Sequence, residues 1–197
     1  MFIPDDFFES RLLHQLINLR KLGILVVSGS TIKILSALSP VPTALEVLKL
    51  YFFREQSEQI NLSSYPNIVK LSLHVNSIMR LKCEAFPPNL VKLTPVDFEV
   101  DGHVVAVLKK LPKLRILKMV WCYHMEEKMD LSGDGDSFPQ LEFLHIHGPD
   151  GLSCRDDVSI PKLKKLLLKD GTSNVRLSDI LQSSEYEYLN VSTGQFA

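Results

Sequence analysis

Residues 111–119 read Leu111-Pro112-Lys113-Leu114-Arg115-Ile116-Leu117-Lys118-Met119. From Leu114 onward the pattern is apolar, two variable residues, apolar, one variable residue, apolar. The same unit recurs as Leu19-Leu22-Ile24, Leu45-Leu48-Leu50, Ile68-Leu71-Leu73, Leu90-Leu93-Pro95, Leu141-Leu144-Ile146 and Leu163-Leu166-Leu168, with a weaker copy at Tyr186-Leu189-Val191. The eight starts lie 26, 23, 22, 24, 27, 22 and 23 residues apart.

The fourth and sixth positions of each unit alternate with more polar residues, so in an extended chain they point to one side. A lone strand cannot bury that face, but stacked copies form a parallel sheet over one continuous core. A period of roughly 20–29 residues with this spacing is that of the leucine-rich repeat. An ordinary alternating α/β domain with scattered leucines does not account for the regular period. The fold class is therefore α/β: a leucine-rich-repeat solenoid with a curved, parallel concave sheet of about eight strands and an irregular convex side with short helices. Residues 1–18 read as an N-terminal cap or partial repeat, and residues 19–197 as the repeat domain.

Proline sits two residues before five of the starts, at Pro66, Pro88, Pro112, Pro139 and Pro161. It fixes its own φ and pushes the preceding residue toward extended geometry, a suitable way into a short strand. On the convex side, Val104, Val107, Leu108 and Leu111 follow Asp101-Gly102 at helical spacing, and Ser178-Asp179 reads as a second helix start. Residues 58–64 are too short for more than a turn or an extended run. Phe2, Phe7, Phe8, Leu12 and Leu13 are expected to improvise a cap; nothing polar closes the other end, so a fragment, a truncated paralogue or a partial gene model is expected.

Net charge is −1, so whole-chain charge favours neither nucleic acid nor a membrane surface. Cys83, Cys122 and Cys154 are odd in number and lack metal-ligand spacing, which points to a reducing compartment. Without a signal sequence or a long apolar run, the expected location is cytoplasmic.

Three blocks are more specific. They are Ala85-Phe86-Pro87-Pro88-Asn89-Leu90-Val91-Lys92-Leu93-Thr94, Leu108 through Met119, and Ser137-Phe138-Pro139-Gln140-Leu141-Glu142-Phe143-Leu144. From about Leu16 onward the chain resembles the repeat region of plant coiled-coil nucleotide-binding leucine-rich-repeat resistance proteins, closest to the tobamovirus-resistance type of nightshades. The resemblance implies an intracellular immune receptor whose repeats sense a pathogen protein, directly or through a host target, and hold a nucleotide-binding domain inactive. The chain departs from the family in having no Gly-x-x-x-x-Gly-Lys-Ser/Thr loop, so no nucleotide site carries over and no cofactor is expected.

The third, fifth and seventh positions of each unit are expected on the concave face. They supply Lys21, Lys49, Lys70, Lys92, Lys118, Lys165 and Lys169, and no acid. Tyr51, His74, Phe143, His145, His147 and Tyr188 add rings to the same face. The candidate site is thus a basic, partly aromatic platform for an acidic protein surface: a pathogen effector, a host target or the receptor's own nucleotide-binding domain. Solubilising an exposed sheet face is the plainer role for such lysines. Nucleic acid is disfavoured because the aromatic interleaving is sparse.

Other constellations carry less. His145-x-His147, with His124 nearby, lacks the third and fourth ligands of a zinc site, so exposed histidines that touch a partner are expected instead. Asp130 to Asp136 opens like a calcium loop, but its twelfth position is Leu141 rather than glutamate. Cys122 holds the ninth motif position, a structural site in this repeat. Trp121 beside it suits a binding anchor and a packed rim equally. Pro95 replaces a large aliphatic core residue and has no N–H for the ladder. No candidate set supports an enzyme. The rival binding role, the substrate-selecting repeats of a plant F-box protein, requires an F-box helix bundle that residues 1–18 do not show.

Overall fold

The computed structural model describes residues 2–3, 18–26, 43–52, 60–75, 83–98, 100, 102–122, 129–130, 137–148, 152–153, 160–169 and 187–191. Among them the main sheet has nine parallel strands: β1 (Phe2–Ile3), β2 (Lys21–Val26), β3 (Val47–Phe52), β5 (Lys70–His74), β7 (Lys92–Val96), β8 (Ile116–Val120), β10 (Phe143–His147), β12 (Lys165–Lys169) and β13 (Glu187–Val191), neighbours in that order. Opposite it run two small parallel pairs. In one, β4 (Ile60–Asn61) meets β6 (Cys83–Ala85); in the other, β9 (Met129–Asp130) meets β11 (Leu152–Ser153). The result is the leucine-rich-repeat solenoid expected from the spacing.

Each proline-marked entry is a tight turn. In Tyr65-Pro66-Asn67-Ile68 the Ile68 N–H donates to the Tyr65 carbonyl at 3.3 Å, and Leu90, Leu141 and Leu163 donate in the same way to Pro87, Phe138 and Ile160. Proline at the second place of such a turn has its preferred φ, and the fourth residue is the first leucine of the unit. Asparagine adds a link between coils: the Asn67 amide donates to the Thr43 carbonyl at 2.6 Å and the Asn89 amide to the Pro66 carbonyl at 2.8 Å.

Phase is then handed on by backbone. The Arg20 carbonyl accepts from both Glu46 and Val47, the Glu46 carbonyl from Val69 and Lys70, the Val69 carbonyl from Val91 and Lys92. The relay continues through Val91, Arg115 and Glu142 to Lys164 and Lys165. Fourth and sixth positions therefore stack as buried columns. Ile24, Leu48, Leu50 and Leu117 are fully excluded from water and Leu71, Leu73, Leu93, Met119 and Leu144 nearly so. Each such side chain contributes about 1.5–3 kcal/mol of burial.

On the convex side, helix α1 (Gly102–Lys109) forms where its spacing predicted, burying Val104, Val105 and Leu108, with Leu111 buried just beyond and Val107 packed at the edge of the core. At Asn61, the side-chain carbonyl caps a turn by accepting from the Ser63 N–H and hydroxyl. The expected second helix near Ser178 lies outside the described residues, as do most of the residues expected to cap the N-terminus. Phe2 and Ile3 pair with Gly23 and Ile24, adding a short strand to the edge of β2.

Two local departures matter. The ladder between β7 and β8 pairs Lys92, Leu93 and Val96 with Ile116, Leu117 and Val120 but skips Thr94 and Pro95, whereas β5 pairs with β7 without a break. Proline's missing N–H explains the gap on one side only, because alternate residues turn their amides to alternate neighbours. At β13, Leu166 pairs with Tyr188 and Leu168 with Asn190, one residue out of step with the expected motif. Tyr188 is thus aligned with the core column, and Glu187 takes the place expected for it beside Lys165. Tyr188 and Leu189 put large apolar groups on both parities, so alternation alone does not fix the register.

Candidate functional site

The open face of the sheet divides into two regions. Across β3 to β8 it is basic. Lys70 and Lys92 pair directly in register, and Ser72 and Thr94 pair two residues further along. Lys49 pairs with Ser72 from the other side. Lys118 occupies the corresponding fifth position of β8. Together with Val47, Leu48 and Leu71, these four lysines and two hydroxyl residues line a hollow of about 270 Å³ that contains no carboxylate. Lys49 and Lys70 are exposed, as is Lys21 at the sheet's end; Lys92 and Lys118 are half-buried along their stems.

Below the hollow, Tyr51 and His74 stack with ring centres 4.4 Å apart and planes within 14°. The Ser72 hydroxyl lies 3.0 Å from His74 Nε2 and 3.3 Å from the Thr94 carbonyl, so ring, hydroxyl and neighbouring strand are tied together. Burial holds the His74 imidazole below its ordinary pKa; Lys49 adds to the shift and Asp97 opposes it.

Across β8 to β12 the face becomes aromatic and apolar. Phe143 and His145 meet edge to face, and His147 lies 4.8 Å from the Trp121 ring. The expectation that His145 is exposed is incorrect: it is 6% accessible. Its imidazole is short and sits between Phe143 and His147 on its own strand, with Lys118 and Leu167 alongside in register. Phe143, His147 and Lys165 are half-buried. Lys169 pairs with His147 at the strand end, and its side chain lies outside the described residues. His124 and the acidic loop after Asp130 also lie outside them. Among the described residues no cluster of three or more His, Cys, Asp or Glu side chains could hold a metal ion, and no helix is long and apolar enough to cross a membrane.

Trp121 was not placed in the concave-face set, yet among the described residues it is the large hydrophobic side chain left most open, 46% accessible. Its φ is +53°, in the left-handed region. Its backbone N–H donates to the His147 carbonyl. Asp97, one coil earlier, has the same geometry, with φ +51° and a bond to the Val120 carbonyl. The eighth position thus closes each strand, and the signal that could have found it is its constant offset from the motif. Cys122, the next residue, is buried, and burial pushes its thiol up to about 12, which makes it a poor nucleophile at neutral pH.

At the opposite strand end, second-position residues form ion pairs between coils. Arg20 and Glu46 engage through contacts of 2.8–3.0 Å, Arg115 and Glu142 through contacts of 2.8 and 3.1 Å, and Lys164 approaches Glu142 at 3.7 Å. These pairs face water and set alignment more than stability.

No family profile matches the chain, and no solved structure matches it. Curated relatives do. The chain is 65% identical over 187 residues to the ToMV susceptible protein tm-2 of Solanum lycopersicum, and 63% identical over 187 residues to the ToMV resistance proteins Tm-2(GCR236) and Tm-2(2) of the same plant. In each case the match covers 92% of this chain and 22% of the relative, so the chain spans about a fifth of the length of these proteins. By fold the chain is a leucine-rich-repeat solenoid, and over most of its length it is similar to one segment of these tomato ToMV resistance and susceptible proteins.

Proposed function

We propose that the chain is the protein-recognition surface of a cytoplasmic plant immune receptor, and that its open sheet face is the contact surface. The observation that carries this is the division of that face into a four-lysine hollow without an acid and an adjoining aromatic patch around Trp121 and Phe143. Such a surface suits an acidic protein partner: cations steer the encounter and a desolvated aromatic anchor retains it. The partner is a pathogen effector, a host target, or the receptor's own nucleotide-binding domain held in its resting state. The surface works by recognition rather than catalysis, and no cofactor takes part. The names of the relatives support this receptor reading over the F-box one. They include a susceptible form and resistant forms at nearly equal identity to this chain.

The test is charge reversal at Lys70, Lys92 and Lys118 together. Binding of the purified chain to virus-encoded proteins and to the nucleotide-binding domain of the tomato relatives is measured for wild type and variant. Loss of a bound partner, with the circular-dichroism spectrum unchanged, is expected. Identical binding by both proteins sinks the proposal.

A further inference from the structure

Like charges directly opposite on adjacent strands destabilise a sheet. Lys70 and Lys92 are such a pair, held in register by an unbroken ladder. Lys49 and Lys118 enclose the same ground from either side. Along the fifth-position row the order is Lys49, Ser72, Thr94, Lys118, with Lys70 and Lys92 two residues above the hydroxyl pair. Adjacent strands lie about 4.8 Å apart, so the two flanking lysines start roughly 14 Å apart, and both line the hollow between them. The floor offers the Ser72 and Thr94 side chains, and the whole hollow of about 270 Å³ has no acid in its lining.

The nearest acids flank the hollow without lining it: Glu46 is forked to Arg20 at the strand's entry and also feels the charge of Lys70, and Asp97 lies beyond the other end, where its charge reaches His74. The lining itself holds four lysines and no carboxylate.

We propose that this hollow is a phosphate-recognition site, and that it receives a phosphorylated side chain of the protein partner. The inference rests on the proposed recognition role and names the chemistry of the contact. A single carboxylate brings one charge and two oxygens, leaving most of the cation excess unmet. A phosphate monoester brings nearly two charges and three acceptor oxygens, matching lysines that bind as point charges from several directions and the Thr94 hydroxyl on the floor, while the Ser72 hydroxyl stays tied to the Thr94 carbonyl. Aspartate or glutamate on the partner would meet the hollow but not satisfy it.

The site is probed on the full chain with inorganic pyrophosphate, and with malonate as a dicarboxylate of similar size, by calorimetry at low ionic strength. Pyrophosphate is expected to bind at one site and more tightly than malonate. Lys70→Gln with Lys92→Gln is expected to weaken it by about tenfold or more, while Lys113→Gln, off this face, leaves it within roughly twofold. The paired variant is also expected to melt higher than wild type without ligand, because the repulsion is gone; this readout shows that the variant is folded. Malonate binding as tightly as pyrophosphate, or affinity indifferent to the paired variant, overturns the phosphate assignment. That failure is separate from failure of the recognition role: charge reversal that abolishes partner binding keeps the basic platform even where pyrophosphate does not bind. A phosphopeptide library then reports whether a protein segment carries the group; capture of free pyrophosphate with no enrichment of phosphopeptides over their unphosphorylated forms rejects the protein-borne source.

Discussion

The Cys122 thiol donates a hydrogen bond to the Pro95 carbonyl, 3.6 Å away across the strand gap. That contact lies where the β7–β8 ladder is interrupted. Pro95 is buried and lies beside Leu73 and its column of aliphatic residues, so it offers less apolar surface than its neighbours and cannot supply an amide to β8. Pro95→Leu is expected to restore the bond and fill the column, raising stability by about 1–3 kcal/mol. Chemical denaturation checks it: a higher midpoint at unchanged slope is expected. An unchanged midpoint would mean the surrounding side chains have closed around the proline.

Trp121 occupies left-handed backbone that bulky side chains disfavour, while about half of it remains in water. Asp97 shows that the same place accepts a short polar residue. Trp121→Asn is expected to keep the fold and raise stability by about 0.5–1 kcal/mol, since asparagine tolerates this region and relief of the left-handed strain outweighs the loss of the half-covered indole. Partner binding should fall at the same time. Opposite signs in a thermal melt and a binding assay would identify a side chain retained for contact; a lower melting midpoint would show instead that packing on His147 dominates.

His74 titrates below an ordinary imidazole because burial, and then Lys49, disfavour its charged form. A histidine with a depressed folded pKa binds more protons unfolded than folded just below about pH 6.5, so stability falls as pH drops through that range. An anion in the adjacent hollow reverses the balance by favouring the imidazolium. NMR titration of His74 with and without pyrophosphate is expected to show its midpoint moving upward on binding. An unmoved midpoint would put the anion elsewhere.

The Glu46 and Glu142 carboxyls are held below their usual pKa, first by hydrogen bonds from Arg20 and Arg115. A depressed carboxylate stabilises the fold above its unfolded pKa of about 4.5 and loses that contribution as pH falls through its folded value. Wild type and Glu142→Gln should therefore differ slightly in melting midpoint above that pH and converge below it. The difference should shrink in salt, because water reaches both partners. A gap that persists at low pH would assign Glu142 a packing role instead.

Much of the fold was legible because its units repeat. Motifs separated by spacings from 22 to 27 residues still declare the same column of leucines, and those columns are the core. Lys49, Lys70, Lys92 and Lys118 were legible as one group for the same reason, since period two sets them opposite the buried positions, and all four line one hollow. What escaped were effects of neighbours rather than of parity. His145 has the right parity for exposure and is covered by the bulkier Phe143 and Leu167 beside it. Strand β13 pairs one residue out of the expected register because it is apolar on both parities. The basic hollow needed the register, since Lys70 and Lys92 are separated by a whole coil and become adjacent only once β5 and β7 are paired. Trp121 needed a backbone angle, which composition does not carry.

The turn in which proline precedes the first apolar residue of the unit, together with the carbonyl that accepts two amides from the next coil, resets alignment at the start of β5, β7, β8, β10 and β12. Among these coils the phase is kept whatever length of chain loops over the back; coils of 22 and of 27 residues keep it equally. Unequal crossing-over between copies would therefore change the number of strands without scrambling the surface they display. Each coil can be duplicated, lost or exchanged like a tile, carrying its three outward residues with it. New combinations of face residues are thereby reachable in a single genetic event without first solving the folding problem again.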